Sequence, residues 1–262
     1  MLDLRKNLSG NVLDSLIFDL ARDLYFDEVA LKKSIYGIWR QLEDNILTQN
    51  ALFFNYRYSL YTIDIFKKLL IQHSIFQQAI PIENVRMCLA ILFAYHAARR
   101  FEGTIPEKNF SETGSTRFVH DAELIPNLQY RASVLLSSIQ DHGYSISGKM
   151  VDEICNSIDP FEIQHSSYED LAVLIRTSLV LGLFAFPGLE HNLPKIRQDF
   201  SNAFSNEKYA SNTVKDLKQS LLDNFWSQQY PSILVGINSL KGDRNNLIIK
   251  QMTHNLQKLG MQ

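Results

Sequence analysis

The sequence predicts an all-α fold, a single helical bundle of about nine to ten helices, and three observations lead there. Apolar residues recur at three- and four-residue steps in nearly every long segment. No run of alternating apolar and polar residues is long enough for a half-buried strand. Glycine and proline number only 11 and 7 of 262 residues, which excludes collagen-like and low-complexity chains and leaves long uninterrupted segments. A chain of this length can bury a sizeable core.

In chain order, 12–24 places Val12, Leu13, Leu16, Ile17, Leu20 and Leu24 on one side, with Asp14, Asp19, Arg22 and Asp23 between them. A second helix, about 28–48, carries Val29, Leu31, Ile35, Ile38, Trp39, Leu42 and Ile46. A third, about 51–73, carries Phe53, Phe54, Tyr58, Tyr61, Ile65, Leu69 and Leu70, an aromatic density that implies burial on more than one side. Pro81 sits just inside the start of a fourth, where its missing N–H costs nothing. That helix runs to about Phe101 and is apolar on most faces, so it is central. Residues 102–122, with Gly103, Pro106, Asn109, Gly114 and Ser115, form an irregular connection of a length that is often functional.

Helices resume at about 124–141 and 148–157. Ser166 to Glu169 reads as a capping box opening an apolar helix over 167–186, followed by Pro187-Gly188. Three more helices are expected at about 192–204, 213–228 and 243–259. The last places Leu247, Ile248, Met252, Leu256 and Leu259 at helical spacing and stops at Gly260. No internal repeat is evident. The expectation is one all-helical domain, 1–262, with its core at about 50–190 and the segments 1–49 and 191–262 packed on it as helical extensions.

Composition narrows the function. With 26 Lys+Arg against 28 Asp+Glu the net charge is -2, so no nucleic-acid partner is expected. The two cysteines, Cys88 and Cys155, lie in apolar helical patterns and read as buried thiols of a reducing compartment. Met1 to Leu20 carries Asp3, Arg5, Lys6 and Asp14 and offers no signal-peptide core. The most apolar stretch, Leu171 to Phe186, is short of the roughly 20 residues of a bilayer span and contains Arg176, so no membrane span is expected. The expected location is the cytoplasm, or a host cell reached through a dedicated secretion system.

Phosphate-binding glycine loops, G-x-S-x-G elbows, H-E-x-x-H helices and C-x-x-C pairs are all absent from the sequence. Seven histidines remain. On a helical frame, histidines and aspartates from several helices can hold a divalent cation that polarises a phosphoryl oxygen and activates water. The literal His120-Asp121 pair, with His96 upstream and Asp159 downstream, is one such set of metal ligands.

A second placement rests on Leu89 to Gly103, L-A-I-L-F-A-Y-H-A-A-R-R-F-E-G, and on Asp159-Pro160-Phe161-Glu162-Ile163-Gln164-His165. These segments resemble those of HD-type helical phosphohydrolases, in particular the phosphodiesterase domains of SidE-type bacterial effectors, which act on ADP-ribosylated ubiquitin. The resemblance spans roughly 50–190. It implies an HD-like core that hydrolyses a phosphoester, with His96, Arg99, Arg100 and Asp159 at the catalytic site and a divalent metal as cofactor. Ala97 stands where the pair has its Asp, and Asn55 to Leu60 holds no histidine where the first ligand falls. Those departures imply a degenerate or metal-free site, with His96 as general acid or base and Arg99 or Arg100 neutralising phosphate charge.

Each of these residues also has a structural reading. His96 lies in an apolar helix, Asp159 before Pro160 is a good N-cap, and Arg99-Arg100 complement a helix C-terminus. The alternative function is therefore a non-catalytic helical effector or interaction protein that holds a protein partner in a groove between helices.

Overall fold

The computed structural model describes residues 2–48, 51–76, 80–98, 169–203, 213–241 and 246–261, which form nine α-helices, one π-helical segment and no strand. In chain order these are α1 (Leu2–Leu24), α2 (Glu28–Leu47), α3 (Tyr56–Phe76), α4 (Ile82–Ala98), α5 (Glu169–Phe184), α6 (Leu189–Ala203), α7 (Val214–Ser220), the π segment (Leu221–Trp226), α8 (Ser227–Lys241) and α9 (Leu247–Leu259). The predicted helices at 124–141 and 148–157, the connection 102–122, Cys155 and the capping Ser166 lie outside the described residues.

The apolar stripes lie where helical periodicity placed them, apart from Val29 and Leu247, which are exposed at the starts of their helices. Leu13, Leu16, Ile17 and Leu20 of α1, and Leu31, Ile35, Ile38, Trp39, Leu42 and Ile46 of α2, are buried. Asp27 caps α2 by accepting the N–H groups of Val29 and Ala30 at 2.9 and 3.1 Å. From Val85 to Ala97, α4 is buried at nearly every position, and α5 is buried throughout from Leu171. The buried apolar side chains of the described residues join into one contiguous cluster.

α5 is the hub, packed against α3, α4, α8 and α9, while α2 packs on α4 and α1. Two of its crossings are close because one partner is glycine. A Cβ on Gly182 of α5 would collide with Thr62 Oγ1 of α3, and one on Gly236 of α8 would stand 2.5 Å from Thr177 Oγ1 of α5. Both threonines return their hydroxyls to their own helix, to Tyr58 O and Val173 O, so close approach strands no polar group. The Tyr58 hydroxyl donates to Leu179 O at 2.9 Å and the Tyr61 hydroxyl to Ala185 O at 2.6 Å, tying α3 to α5. Asn255 of α9 donates to Phe184 O and Phe186 O at 2.8 and 2.9 Å and satisfies carbonyls at the end of α5.

Several boundaries differ from the sequence expectation. α1 begins ten residues early, because polar contacts rather than an apolar stripe hold its first turns. Arg5 bonds Leu47 O, Lys6 pairs with Asp44 at 3.1 Å and Ser9 donates to Glu43 at 3.2 Å. α3 starts at Tyr56 instead of 51, since residues 51–55 form an irregular lead-in. Pro81 lies one residue before α4, its carbonyl accepting Val85 N–H at 3.1 Å. The helix expected to end at 228 continues to Lys241 through Pro231. A proline crowds the carbonyl four residues before it, and the chain widens into the π segment just upstream, where Ser227 N–H reaches Leu222 O.

Trp39 and Trp226 are core residues, as are Phe53, Phe54, Tyr58 and Phe66 of the aromatic stripe. No single helix among the described residues is long and apolar enough to cross a membrane.

Candidate functional site

His96 is the one predicted site residue that the structure describes. Arg99, Arg100, His120, Asp121 and Asp159 lie outside the described residues. The His96 side chain has no solvent exposure and projects from the last turn of α4 into the core. The rings of Tyr58 and Tyr95 meet it edge-on, with centroids 5.9 and 6.0 Å away. Among the described residues no three His, Cys, Asp or Glu side chains gather closely enough to hold a metal ion. Cys88, one α4 turn pair earlier in the chain, is wholly buried, and burial pushes its thiol up to about 12, far from the reactive thiolate range.

The described residues do build a solvent-connected cleft. It holds about 370 Å³ between the C-terminal halves of α1 and α3 and the start of α9. Asp19, Arg22 and Asp23 come from α1, Lys67, Lys68, Ile71 and Gln72 from α3, and Asn246, Leu247 and Ile248 from α9. Its volume falls within the range of ligand and peptide pockets, and its wall joins apolar to ionic side chains.

Lys67 organises the ionic wall. Its ammonium, 8% exposed, donates to Asp19 at 2.7 Å, Ser15 Oγ at 3.1 Å and Asp64 at 3.2 Å, so all three of its protons are engaged. Burial pulls the Lys67 pKa down, but the bonds to Asp19 and Asp64 outweigh it and the net shift is upward. For Asp64, burial works upward and the Lys68 hydrogen bond and the two lysine charges prevail, leaving its carboxyl below the usual range. Arg22 grips Asp23 through two bonds of 2.6 and 2.8 Å, which holds that carboxyl low as well. The same guanidinium lies over the Phe18 ring, 5.4 Å from its centroid.

The cleft is therefore an ionic network neutralised from within and bordered by exposed apolar groups. Phe18 is 53% and Leu247 77% exposed. Sequence reasoning placed Leu247 on the buried face of its helix and passed over Lys67. The signal for Lys67 was present: it falls in register with Ile63, Phe66 and Leu70, an apolar row in which a lysine needs paired carboxylates.

Compared with protein-family models, curated proteins and solved structures, the chain matches none of them.

Proposed function

We propose that the chain is a helical interaction protein that holds a protein partner in the cleft between α1, α3 and α9. One observation carries this reading: the cleft's cations and carboxylates are committed to each other, while Leu247 in its wall and Phe18, the ring beneath Arg22, remain largely exposed. An ionic wall whose charges are already matched leaves none of them unpaired when a partner covers it, and the exposed apolar groups in and beside it supply contact area.

The test places a photo-crosslinking amino acid at Leu247 and, as a control, at the exposed Leu4, which lies on α1 about 22 Å along the helix from Asp19. A discrete adduct at Leu247 alone identifies the partner. The purified partner must then bind the wild-type protein saturably and bind Phe18→Asp and Leu247→Asp at least about tenfold more weakly. Equal affinity for wild type and both variants would overturn the reading.

A second reading, phosphoester hydrolysis with or without a divalent cation, draws on His96. A wholly buried imidazole beside the Tyr58 phenol, in an otherwise apolar helix, is the kind of titratable group that functional sites employ. Its test is turnover of a chromogenic phosphodiester with Mg, Mn or Zn, and with chelator. The reading expects turnover that His96→Gln abolishes at unchanged helix content. Absence of turnover under all four conditions counts against it.

A further inference from the structure

α9 (Leu247–Leu259) contains no acidic residue, and its polar side chains include Lys250, His254 and Lys258. With 3.6 residues per turn, Leu247, Lys250, His254 and Lys258 lie within roughly 80° of one another around the helix. Ile248, Met252, Leu256 and Leu259 occupy a different face and are buried in the core. All four residues of the outer face are exposed. Among the described residues neither Lys250, His254 nor Lys258 meets a carboxylate in an ion pair. The acid that borders this face, Glu190 of α6, is taken by Lys218 at 3.2 Å, and Lys218 also reaches the Lys258 carbonyl. Lys218, with Lys258 and His191 nearby, holds the Glu190 carboxyl below its ordinary range.

A basic stripe thus follows the outside of α9 from Lys258 to Lys250, beside the Lys218–Glu190 pair, and ends at Leu247 in the wall of the cleft. A helix of 13 residues gives it a length of about 20 Å. We propose that this stripe and the cleft at its head together seat an acidic segment of a protein partner, its carboxylates over Lys250, His254 and Lys258 and one apolar side chain between Leu247 and Ile71. The proposal rests on the interaction-protein reading and adds the chemistry of the partner.

Charge complementarity selects that occupant. The stripe offers unmatched positive charge at Lys250 and Lys258, about two helical turns apart, with the His254 imidazole between them able to donate a hydrogen bond, which suits carboxylates presented by a peptide. A uniformly anionic surface fits less well, because Asp19 and Asp23 stand in the cleft wall where it would have to follow. An anionic membrane would also call for a broad apolar face beside the charges, and the apolar face of α9 is buried.

Fluorescence anisotropy with three labelled helical peptides decides the matter. The first has glutamates one turn apart and a central leucine, the second replaces the glutamates by glutamine, and the third replaces them by lysine. Phosphatidylserine vesicles and a single-stranded oligonucleotide serve as the competing anions. The expected result is saturable binding of the glutamate peptide, weakening with salt, and at least about tenfold weaker binding of the other two. The double variant Lys250→Glu/Lys258→Glu should lose the glutamate peptide about tenfold and gain the lysine peptide, a reversal that mere unfolding cannot produce. Equal binding of the glutamate and glutamine peptides overturns the charge assignment, as does absence of saturable binding to the glutamate peptide. Binding of vesicles or oligonucleotide in preference to the peptide, lost in the double variant, overturns it in favour of that surface. The interaction reading fails separately, through the crosslinking and the Phe18 and Leu247 variants.

Discussion

Asp199, one turn from the end of α6, is 1% exposed, and its carboxylate accepts the N–H groups of Leu52, Phe53 and Phe54 at 2.9, 2.8 and 3.1 Å. That one side chain satisfies the irregular lead-in to α3, where no helix supplies acceptors, and so fixes Phe53 and Phe54 in the core. Asp199→Ala strands those donors, two of them in fully buried bonds, at about 1–3 kcal/mol each. A loss of at least about 3 kcal/mol is expected in urea unfolding followed by circular dichroism, and an unchanged midpoint would refute the role. Tyr25 is the opposite case. It is 94% exposed and adopts φ 58 where α1 ends, with Phe26 N–H closing back on Ala21 O. A left-handed conformation costs a non-glycine residue about 1–2 kcal/mol, partly offset by the greater freedom of glycine in the unfolded chain. Tyr25→Gly should therefore raise stability by up to about 1 kcal/mol, read as a higher Tm. Neither residue was legible in advance. Asp199 looks like any polar residue of an amphipathic helix, and the acceptor geometry depends on a segment about 145 residues away.

Between helices, glycine sets the spacing of the hub. Gly182 admits Thr62 and Gly236 admits Thr177, so α3 and α8 approach α5 from two sides. Gly236→Ala drives a methyl into Thr177 and should cost about 1–3 kcal/mol through overpacking. Adding Thr177→Ala should recover most of that loss, and a double-mutant cycle measures the coupling. Additive effects would mean that the two helices can separate freely. The helix stripes themselves were legible, because burial on one face leaves a 3.6-residue period whatever the partner. The close crossings were not, because an isolated glycine in a helix does not say which residue faces it.

Across the whole molecule, protonation should set the range of stability. Asp64 and Asp23 have lowered pKa values in the folded chain, so they contribute stability above their unfolded values near 3.8 that is lost as pH falls through the folded ones. Cys88 and Tyr61 move the other way, each to about 12, Cys88 by burial and Tyr61 by burial and the Asp64 charge. Their contribution is complete below the unfolded values of 9.0 and 10.0 and disappears as pH rises towards 12. Lys67, raised above 10.5, adds to the alkaline loss. Thermal melts should show a plateau near neutrality with a fall below about pH 4 and another above about pH 9. Cys88→Ala should flatten the alkaline limb. A Tm that rises from pH 9 to 11 would contradict these assignments.

The amino-acid sequence alone determined that the chain is helical, where its apolar stripes run, and that Trp39, Trp226 and the aromatic stripe belong to the core, since periodicity and burial are local consequences of side-chain chemistry. Only the tertiary structure decided which charged residues meet. Asp19, Arg22, Lys67, Lys68 and Leu247 come from three helices separated by scores to hundreds of residues, and no local pattern encodes their convergence. Leu247 marks the limit of a simple apolar grouping: taken with Ile248, Met252, Leu256 and Leu259, it falls in register with Lys250, His254 and Lys258 and stands exposed beside the cleft. Helix period specifies a face to within a turn, whereas the angle at which that face docks is set by its neighbours.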